Sequence, residues 1–194
     1  MAKARPILGL SEDDPYAVAA ARIVAVRSRE VADHAAGVLD VSDIERVHDM
    51  RVATRRLRAA LEVFEPCFPA KRFRAALREV KELADALGER RDRDVTIAAL
   101  DEFAEAMGRA DRAGIASLAE RLRAEQAEAN EALGPYVTEQ RLAALSERLT
   151  ELVADAAREA GEDGIPLSPV KAAARPASNG APETQATNGA GESE

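Results

Sequence analysis

Two amphipathic runs on either side of the tetrapeptide PCFP, residues 66–69, constrain the fold of this 194-residue chain more than any other feature. Apolar residues recur at helical spacing on both sides of it. Because proline cannot continue the hydrogen-bond ladder of a helix, the two prolines predict that one helix ends here and another begins. Helices joined by so short a connection pack antiparallel. The residues assigned to the two apolar faces are Met50, Leu57, Leu61 and Phe64, then Phe73, Leu77, Val80, Leu83 and Leu87.

Helix start and stop signals recur along the rest of the chain. Asp14 followed by Pro15 predicts a helix start, and Ser42 with Glu45 forms a capping-box pattern. Gly88 is predicted to end the third helix, with GERRDRD as a turn after it. No segment alternates as a strand does, and aromatic residues make up only 3% of the chain, so the sequence predicts an all-α protein. We expect a bundle of about six helices, over about 14–39, 42–65, 70–87, 92–107, 115–133 and 137–160.

Three regions follow from composition. Residues 13–161 are predicted to form one helical domain, preceded by a flexible N-terminus over residues 1–12. Residues 162–194 are rich in Ala, Pro, Gly, Ser, Thr and Asn, with almost no large apolar residues. Such a segment buries too little surface to offset its ordering entropy, so we expect a disordered tail.

Several features bear on the cellular setting. No apolar run approaches the ~20 residues needed to span a bilayer, and the N-terminus lacks the apolar core of a signal peptide. One cysteine, Cys67, excludes a disulfide within one chain. We expect a protein of the cytoplasm with no membrane partner.

Charge is unevenly distributed along the sequence. The chain has a net charge of -8, yet residues 44–93 hold thirteen basic residues against nine acidic ones, a net +4, so the remainder carries -12. On a helix His48, Arg51, Arg55 and Arg58 lie within about 80° of one another, beside the apolar face. A second basic row, on the next helix, comprises Lys71, Arg74, Arg78 and Lys81.

The basic rows have two possible explanations. They form either a solvated helix surface or a face that binds a polyanion. Like charges at i, i+3 and i, i+4 repel, and arginine suits bidentate contact with phosphate, both of which favour a polyanion. Glu62, within the first row, and Glu82, near the second, weaken that case. Arg56 lies off the row.

The segments VHDMRVATRRLRAALEVF and LREVKELADALGERRDRDV resemble the opening repeat of the CHAD family, the conserved histidine α-helical domain. A histidine is followed three residues later by arginine, then by RRLR, then by a lysine-bearing helix ending in Leu-Gly and an Arg-Asp-x-Asp-Val turn. The matching residues are His48, Arg51, Arg55, Arg56, Leu57, Arg58, Lys81, Leu87, Gly88, Arg91, Asp92, Asp94 and Val95.

The resemblance implies binding of inorganic polyphosphate in a basic channel, without catalysis. We therefore expect the cytoplasmic protein to be either free or associated with polyphosphate granules. Arginines of the first row would grip phosphate oxygens, His48 would donate an N–H, and the second row would form the facing wall. Arg91, Asp92 and Asp94 are expected to fix the turn and cap the fourth helix. The polyphosphate-binding residues predicted in this way are His48, Arg51, Arg55, Arg56, Arg58, Arg74, Arg78 and Lys81.

This sequence departs from the family pattern in one respect. Family members consist of two such repeats, whereas no second His-x-x-Arg segment follows residue 108 here. Either one repeat suffices as an open basic face, or two chains pair to complete the channel. We prefer a symmetric homodimer.

Other chemistry is not expected. The two histidines, His34 and His48, lie on different predicted helices, and neither an HExxH motif nor a Glu-x-x-His pair is assigned to them. No cofactor fingerprint occurs either, so we predict no metal, no cofactor and no enzymatic activity. Cys67 is interpreted as a packed loop residue. The alternatives are a helical module that binds an acidic protein or nucleic acid, or a purely structural half-domain. Nucleic acid is disfavoured because stacking aromatic residues are scarce in the basic region.

Overall fold

The computed structural model describes residues 3–159 and 161, except for the side chain of Ala110. The predicted tail, residues 162–194, lies outside the described residues. Five α-helices and two single-turn 3-10 helices, Glu65–Cys67 and Gly134–Tyr136, form the described part, which contains no strand. The all-α class is therefore confirmed. The helices are α1 Tyr16–Asp33, α2 Ile44–Val63, α3 Ala70–Ala106, α4 Arg109–Leu133 and α5 Glu139–Glu159.

Helix α3 is continuous through Gly88, so the predicted third and fourth helices are one helix. Its 37 residues span about 55 Å at the usual helical rise. Gly88 does not have the positive φ of a helix-terminating glycine. Two ion pairs at i, i+4 cross the predicted turn, Arg93 with Glu89 and Arg90 with Asp94. These pairs favour the helix where the glycine alone disfavours it.

The other helix boundaries differ from the sequence prediction by a few residues. Helix α1 begins after Pro15 and ends at Asp33, and residues 34–43 form a connection to α2. Asp43, not Ser42, occupies the N-cap of α2, while the Ser42 hydroxyl donates to Asp40 at 2.7 Å. That hydrogen bond lowers the pKa of Asp40 below its usual value. The Ser42 hydroxyl thus serves the connection rather than the helix.

Four helical segments form the main bundle: α1, α2, the first half of α3, and α5. The Tyr16 hydroxyl donates to the Val63 carbonyl, which sets α1 antiparallel to α2. Ion pairs join Arg72 to Asp155 and Arg141 to Glu82, which sets α5 antiparallel to α3. The predicted apolar residues Met50, Leu57 and Leu61 of α2 lie in the core, together with Val47 and Ala53, whereas Phe64, just after α2, is only partly buried. Fully buried side chains with less than 2% exposure include Met50, Leu57, Leu61, Phe73, Leu87, Leu149 and Leu152.

The second half of α3 extends beyond the main bundle and packs against α4 as an antiparallel hairpin. At its base lies a buried ion pair, Arg90 with Asp94, both with side chains 0% exposed. Burial lowers the pKa of Arg90. Gln126 donates to Asp94 at 2.6 Å and Arg90 donates to Asn130 at 3.3 Å, which joins both charges to α4. The same Asn130 donates to the Leu39 carbonyl at 3.0 Å, so this network also holds the α1–α2 connection.

Two further observations concern the ends and the surface. Arg5, within the predicted flexible N-terminus, pairs with Asp33 of α1, and its backbone N–H donates to Glu30. Among the described helices, none combines the length and the apolar character required to cross a bilayer.

Gly37, in the α1–α2 connection, should not tolerate a side chain. Its φ is +71°, and a Cβ there would collide with the Arg46 guanidinium, which donates to the Ala36 carbonyl at 3.2 Å. We expect Gly37→Ala to lower the free energy of unfolding by about 1–2 kcal/mol, measured by urea denaturation.

Gly114 provides the matched control. It lies within α4, and no atom would lie within 4 Å of an added Cβ. We expect Gly114→Ala to raise the free energy of unfolding by about 0.5–1 kcal/mol through helix propensity. Equal effects from the two substitutions would show that the backbone of residue 37 is not constrained as described.

Candidate polyanion-binding face

The basic residues of α2 and α3 form one surface, here called the basic face. Arg55 is exposed, whereas His48, Arg51 and Arg58 are partly buried beside the core positions of α2. On α3, Arg74 and Arg78 are exposed and Lys81 is partly buried. The basic face comprises His48, Arg51, Arg55 and Arg58 of α2 with Arg74, Arg78 and Lys81 of α3.

Three contacts fix α2 against α3. Glu62 pairs with Lys81, the Arg51 guanidinium lies over Gly88, and Arg91 donates to the Ile44 carbonyl at 2.9 Å. As the residue number falls along α2, the number of its partner on α3 rises. The two helices are therefore antiparallel, as the short connection predicts.

The two basic rows are staggered along the helix pair rather than placed opposite each other. Lys81 lies level with the end of α2, because its partner Glu62 is one residue before Val63, the last residue of α2. Arg74 is two turns before Lys81 in α3, which places it about 10 Å beyond the end of α2. Opposite Arg51 stands Gly88, not a cation. Of the predicted facing wall, Lys81 lies beside Arg58 of α2, with Glu62 between them, whereas Arg74 lies beyond the end of α2. The basic face is therefore a strip about 30 Å long.

The cations of the basic face differ in how far they are neutralised. Within the described part of the chain, Arg51, Arg55 and Arg74 make no salt bridge with an acidic side chain. Arg78 lies 3.9 Å from Glu82, a contact at the limit for an ion pair. Two of these arginines, Arg55 and Arg74, are exposed and Arg51 is partly buried, and none of the three has a carboxylate partner among the described residues. This arrangement is open to an anion from solution.

Glu62 is the acidic residue within the strip. Its Oε1 accepts from Arg58 Nε at 3.0 Å and lies 3.4 Å from Lys81 Nζ. The hydrogen bond from Arg58 lowers the pKa of Glu62, and Lys81 lowers it further. Glu62 therefore joins α2 to α3 at the centre of the basic face and remains ionised there.

Arg56 lies outside the strip. It is about 100° around the helix from Arg55, which agrees with its predicted position off the row. The side chain is half-buried and makes contacts of its own within the fold. The structure does not bring Arg56 together with the other predicted ligands.

The Arg-Asp-x-Asp residues, Arg91, Asp92 and Asp94, lie inside α3 rather than at a turn. Arg91 bonds to the Ile44 carbonyl and pairs with Glu45, so it attaches α3 to the first turn of α2. Asp94 belongs to the buried pair with Arg90, and Asp92 is exposed. The prediction that they fix a turn and cap a fourth helix is wrong. Two of them instead hold neighbouring elements in register.

A group of potential metal ligands lies at the start of α2. Donor atoms of Glu45, His48 and Asp49 come within 4.8 Å of one another. The sequence prediction that no Glu-x-x-His pair accompanies the histidines is wrong, because Glu45 and His48 form one at this position. Arg91 already pairs with the Glu45 carboxylate, with 3.3 Å between the guanidinium nitrogen and Oε1. A metal cation would therefore have to compete with that guanidinium. We assign no metal to this group.

The remaining candidates agree with structural roles. Cys67 is buried in the short 3-10 turn, and burial raises the pKa of its thiol. A raised pKa disfavours the reactive thiolate. His34 is partly buried at the residue after α1, away from His48 on α2.

Comparison with known families identifies the group to which the chain belongs. The family model of the CHAD domain matches residues 22–186, which is most of the chain. This protein is therefore a member of the CHAD domain family. No curated protein and no solved structure matches it significantly.

The buried pair offers a direct test of how the CHAD-motif residues act. Asp94→Asn keeps the side-chain shape but leaves the buried Arg90 without its counter-charge. Because an uncompensated buried charge is costly, we expect the free energy of unfolding to fall by about 3 kcal/mol. Urea denaturation followed by circular dichroism measures it.

Glu89→Gln is the matched control. It breaks another i, i+4 pair of α3, with Arg93, in which the Glu89 side chain is 67% exposed. Exposed pairs contribute little, so a change of at most about 0.5 kcal/mol is expected. Equal losses for the two variants would contradict the structural role given to Asp94.

Proposed function

We propose that this protein binds inorganic polyphosphate along the basic face, without chemical conversion of the ligand. The observation that carries the proposal is the strip of cations in which Arg51, Arg55 and Arg74 have no carboxylate partner in the described structure. Membership of the CHAD family, which is associated with polyphosphate binding, supports the choice of ligand.

The chemistry of the strip suits a linear phosphate polymer. Guanidinium groups bind phosphate oxygens bidentately and are weakly hydrated, which favours arginine at such contacts. The strip is about 30 Å long and lies mostly along the axis of one helix pair, so its cations are spaced as a row. His48 stands at one end and offers an N–H donor. A polymer with one charge on each unit would meet these groups in succession.

Nucleic acid and acidic proteins are the alternative ligands. Single-stranded nucleic acid binds best where bases stack on exposed aromatic rings. Phe68 and Phe73 are 6% and 2% exposed and lie 6.2 Å apart, centroid to centroid, in the core. Phe64 is partly buried and packs against Tyr16 at 5.1 Å. The aromatic residues of the basic region thus pack within the protein, which favours a ligand that does not need to stack on exposed rings.

A binding role fits the residues available around the strip. The carboxylates near the basic face are engaged by cations, as Glu62 is by Arg58 and Glu45 by Arg91. The strip also holds no thiol or hydroxyl nucleophile beside a base. We therefore propose a non-catalytic protein that acts where cytoplasmic polyphosphate is present.

Charge reversal at the centre of the strip tests this function. We expect Arg55→Glu with Arg58→Glu to weaken long-chain polyphosphate binding at least tenfold and to reduce the slope of log affinity against log salt concentration by about two. Isothermal titration at two salt concentrations measures both, with single-stranded DNA as a competing ligand.

The control reverses two arginines on another helix. Arg121→Glu with Arg123→Glu changes the net charge by the same amount on α4, outside the basic face. Affinity should change less than twofold. If the Arg55 and Arg58 variant keeps wild-type affinity, the basic face is not the binding site. If DNA binds as tightly as polyphosphate, the choice of ligand is wrong.

We also propose that the protein acts as a homodimer. The sequence supplies one His-x-x-Arg helix where its family has two, so a second copy would provide the other. The α3–α4 hairpin offers an apolar surface for such pairing, because Val95 and Phe103 of α3 are 51% and 52% exposed. Both lie on the side of α3 turned away from α4.

Sedimentation velocity tests the dimer. We expect the full chain to sediment as a dimer at micromolar concentration, and Phe103→Glu to shift it to a monomer without loss of helix content in circular dichroism. A wild-type chain that remains monomeric with and without polyphosphate, and still binds it tightly, would rule the dimer out.

A further inference from the structure

Glu62 occupies the one place in the basic face where cations from two helices converge on a single anionic atom. Its Oε1 lies 3.0 Å from Arg58 Nε and 3.4 Å from Lys81 Nζ. The three side chains are 40%, 43% and 41% exposed for Arg58, Glu62 and Lys81, so solvent reaches the whole group. Burial therefore does not keep a dissolved anion away from the two cations. The Glu62 carboxylate is the group that occupies the space between Arg58 and Lys81.

The other acidic residues near the strip are held elsewhere. Glu82 pairs with Arg141 of α5 at 3.3 Å through one oxygen, and its other oxygen lies 3.9 Å from Arg78, at the limit for an ion pair. Glu79 pairs with Arg148 of α5. Both carboxylates thus fasten α5 to α3. Glu62 differs from them because both its partners belong to the basic face.

We infer that Glu62 is an internal ligand of the basic face: its carboxylate holds the position between Arg58 and Lys81 that a phosphate group takes when the polymer binds. This inference rests on the proposed function. It adds that the free protein already contains an anion at the centre of its site, and that an incoming ligand must displace it.

Tethering makes this competition selective for chain length. A carboxylate on the same chain competes at a high effective concentration, so a small anion that reaches only Arg58 and Lys81 binds poorly. A long polymer also contacts Arg51, Arg55 or Arg74, which have no internal competitor among the described residues. The affinity of a long polymer therefore depends less on displacing Glu62 from Arg58 and Lys81. Glu62 would make the face discriminate against short phosphates and in favour of long ones.

Glu62→Gln tests the inference because it keeps the side-chain size and removes the competing charge. Titrations of the full chain with tripolyphosphate and with long-chain polyphosphate are compared between wild type and variant. We expect tripolyphosphate affinity to rise about three- to fivefold in Glu62→Gln, the amount that relief of an exposed ion pair gives. Long-chain affinity should rise by a smaller factor, and the slope of log affinity against log salt concentration should steepen by about one.

Glu125→Gln is the control, because Glu125 also lies near two cations from two helices, on another surface and at the limit of ion-pair distance. Glu125 of α4 pairs with Arg121 four residues earlier, at 4.0 Å, and with Arg93 of α3, at 3.9 Å. Its neutralisation changes the net charge equally, and neither of its two cations belongs to the basic face. Its removal should leave both affinities within twofold of wild type.

The outcomes separate this inference from the function on which it rests. If neither wild type nor Glu62→Gln binds long-chain polyphosphate at low salt, the proposed function fails. If wild type binds but Glu62→Gln binds tripolyphosphate no more tightly, or no more tightly than Glu125→Gln, the proposed function stands and Glu62 is not a competitor. Weaker binding of both ligands by Glu62→Gln would show that Glu62 positions Arg58 and Lys81 instead, and would also overturn the inference.

Discussion

The hydrogen bond from Arg91 to the Ile44 carbonyl is the contact on which the geometry of the basic face depends. It attaches the middle of α3 to the first turn of α2, where backbone carbonyl and Glu45 side chain are both within reach of one guanidinium. With the Glu62–Lys81 pair at the other end of α2, it fixes the register of the two helices. A change of one turn in this register, about 5 Å, would separate Arg58 from Lys81 and divide the strip.

The structure separates two uses of arginine that look alike in the sequence. Arg90 is 0% exposed and belongs to the hydrogen-bond network that connects α3, α4 and the α1–α2 connection. Arg55, in contrast, is exposed and makes no ion pair in the described part of the chain. The first kind stabilises the fold through a paired buried charge, and its loss would leave a charge in a dry site. The second kind contributes little to folding and leaves its charge available to a ligand.

Much of this could be predicted from the sequence, and the exceptions have physical causes. Apolar periodicity identified the core of α2, since Met50, Leu57 and Leu61 are all fully buried. The prolines of PCFP located the connection between α2 and α3. Gly88 misled the prediction because a glycine in a helix costs only about 1 kcal/mol, which ion pairs and packing on both sides of α3 outweigh. Where the cations of α3 lie relative to the end of α2 depends on tertiary contacts between the two helices. The spacing of residues along each helix therefore could not predict that the two basic rows are staggered.

The continuity of α3 has a mechanical consequence. A turn at Gly88 would have acted as a joint, and the bundle and the hairpin would then have moved independently. Instead, one helix of about 55 Å carries Arg74 and Lys81 of the basic face in its first third and Phe103 near its other end. Because α3 is unbroken, the main bundle and the α3–α4 hairpin share one helix, and the Arg90–Asp94 network attaches the middle of that helix to α4 and to the α1–α2 connection.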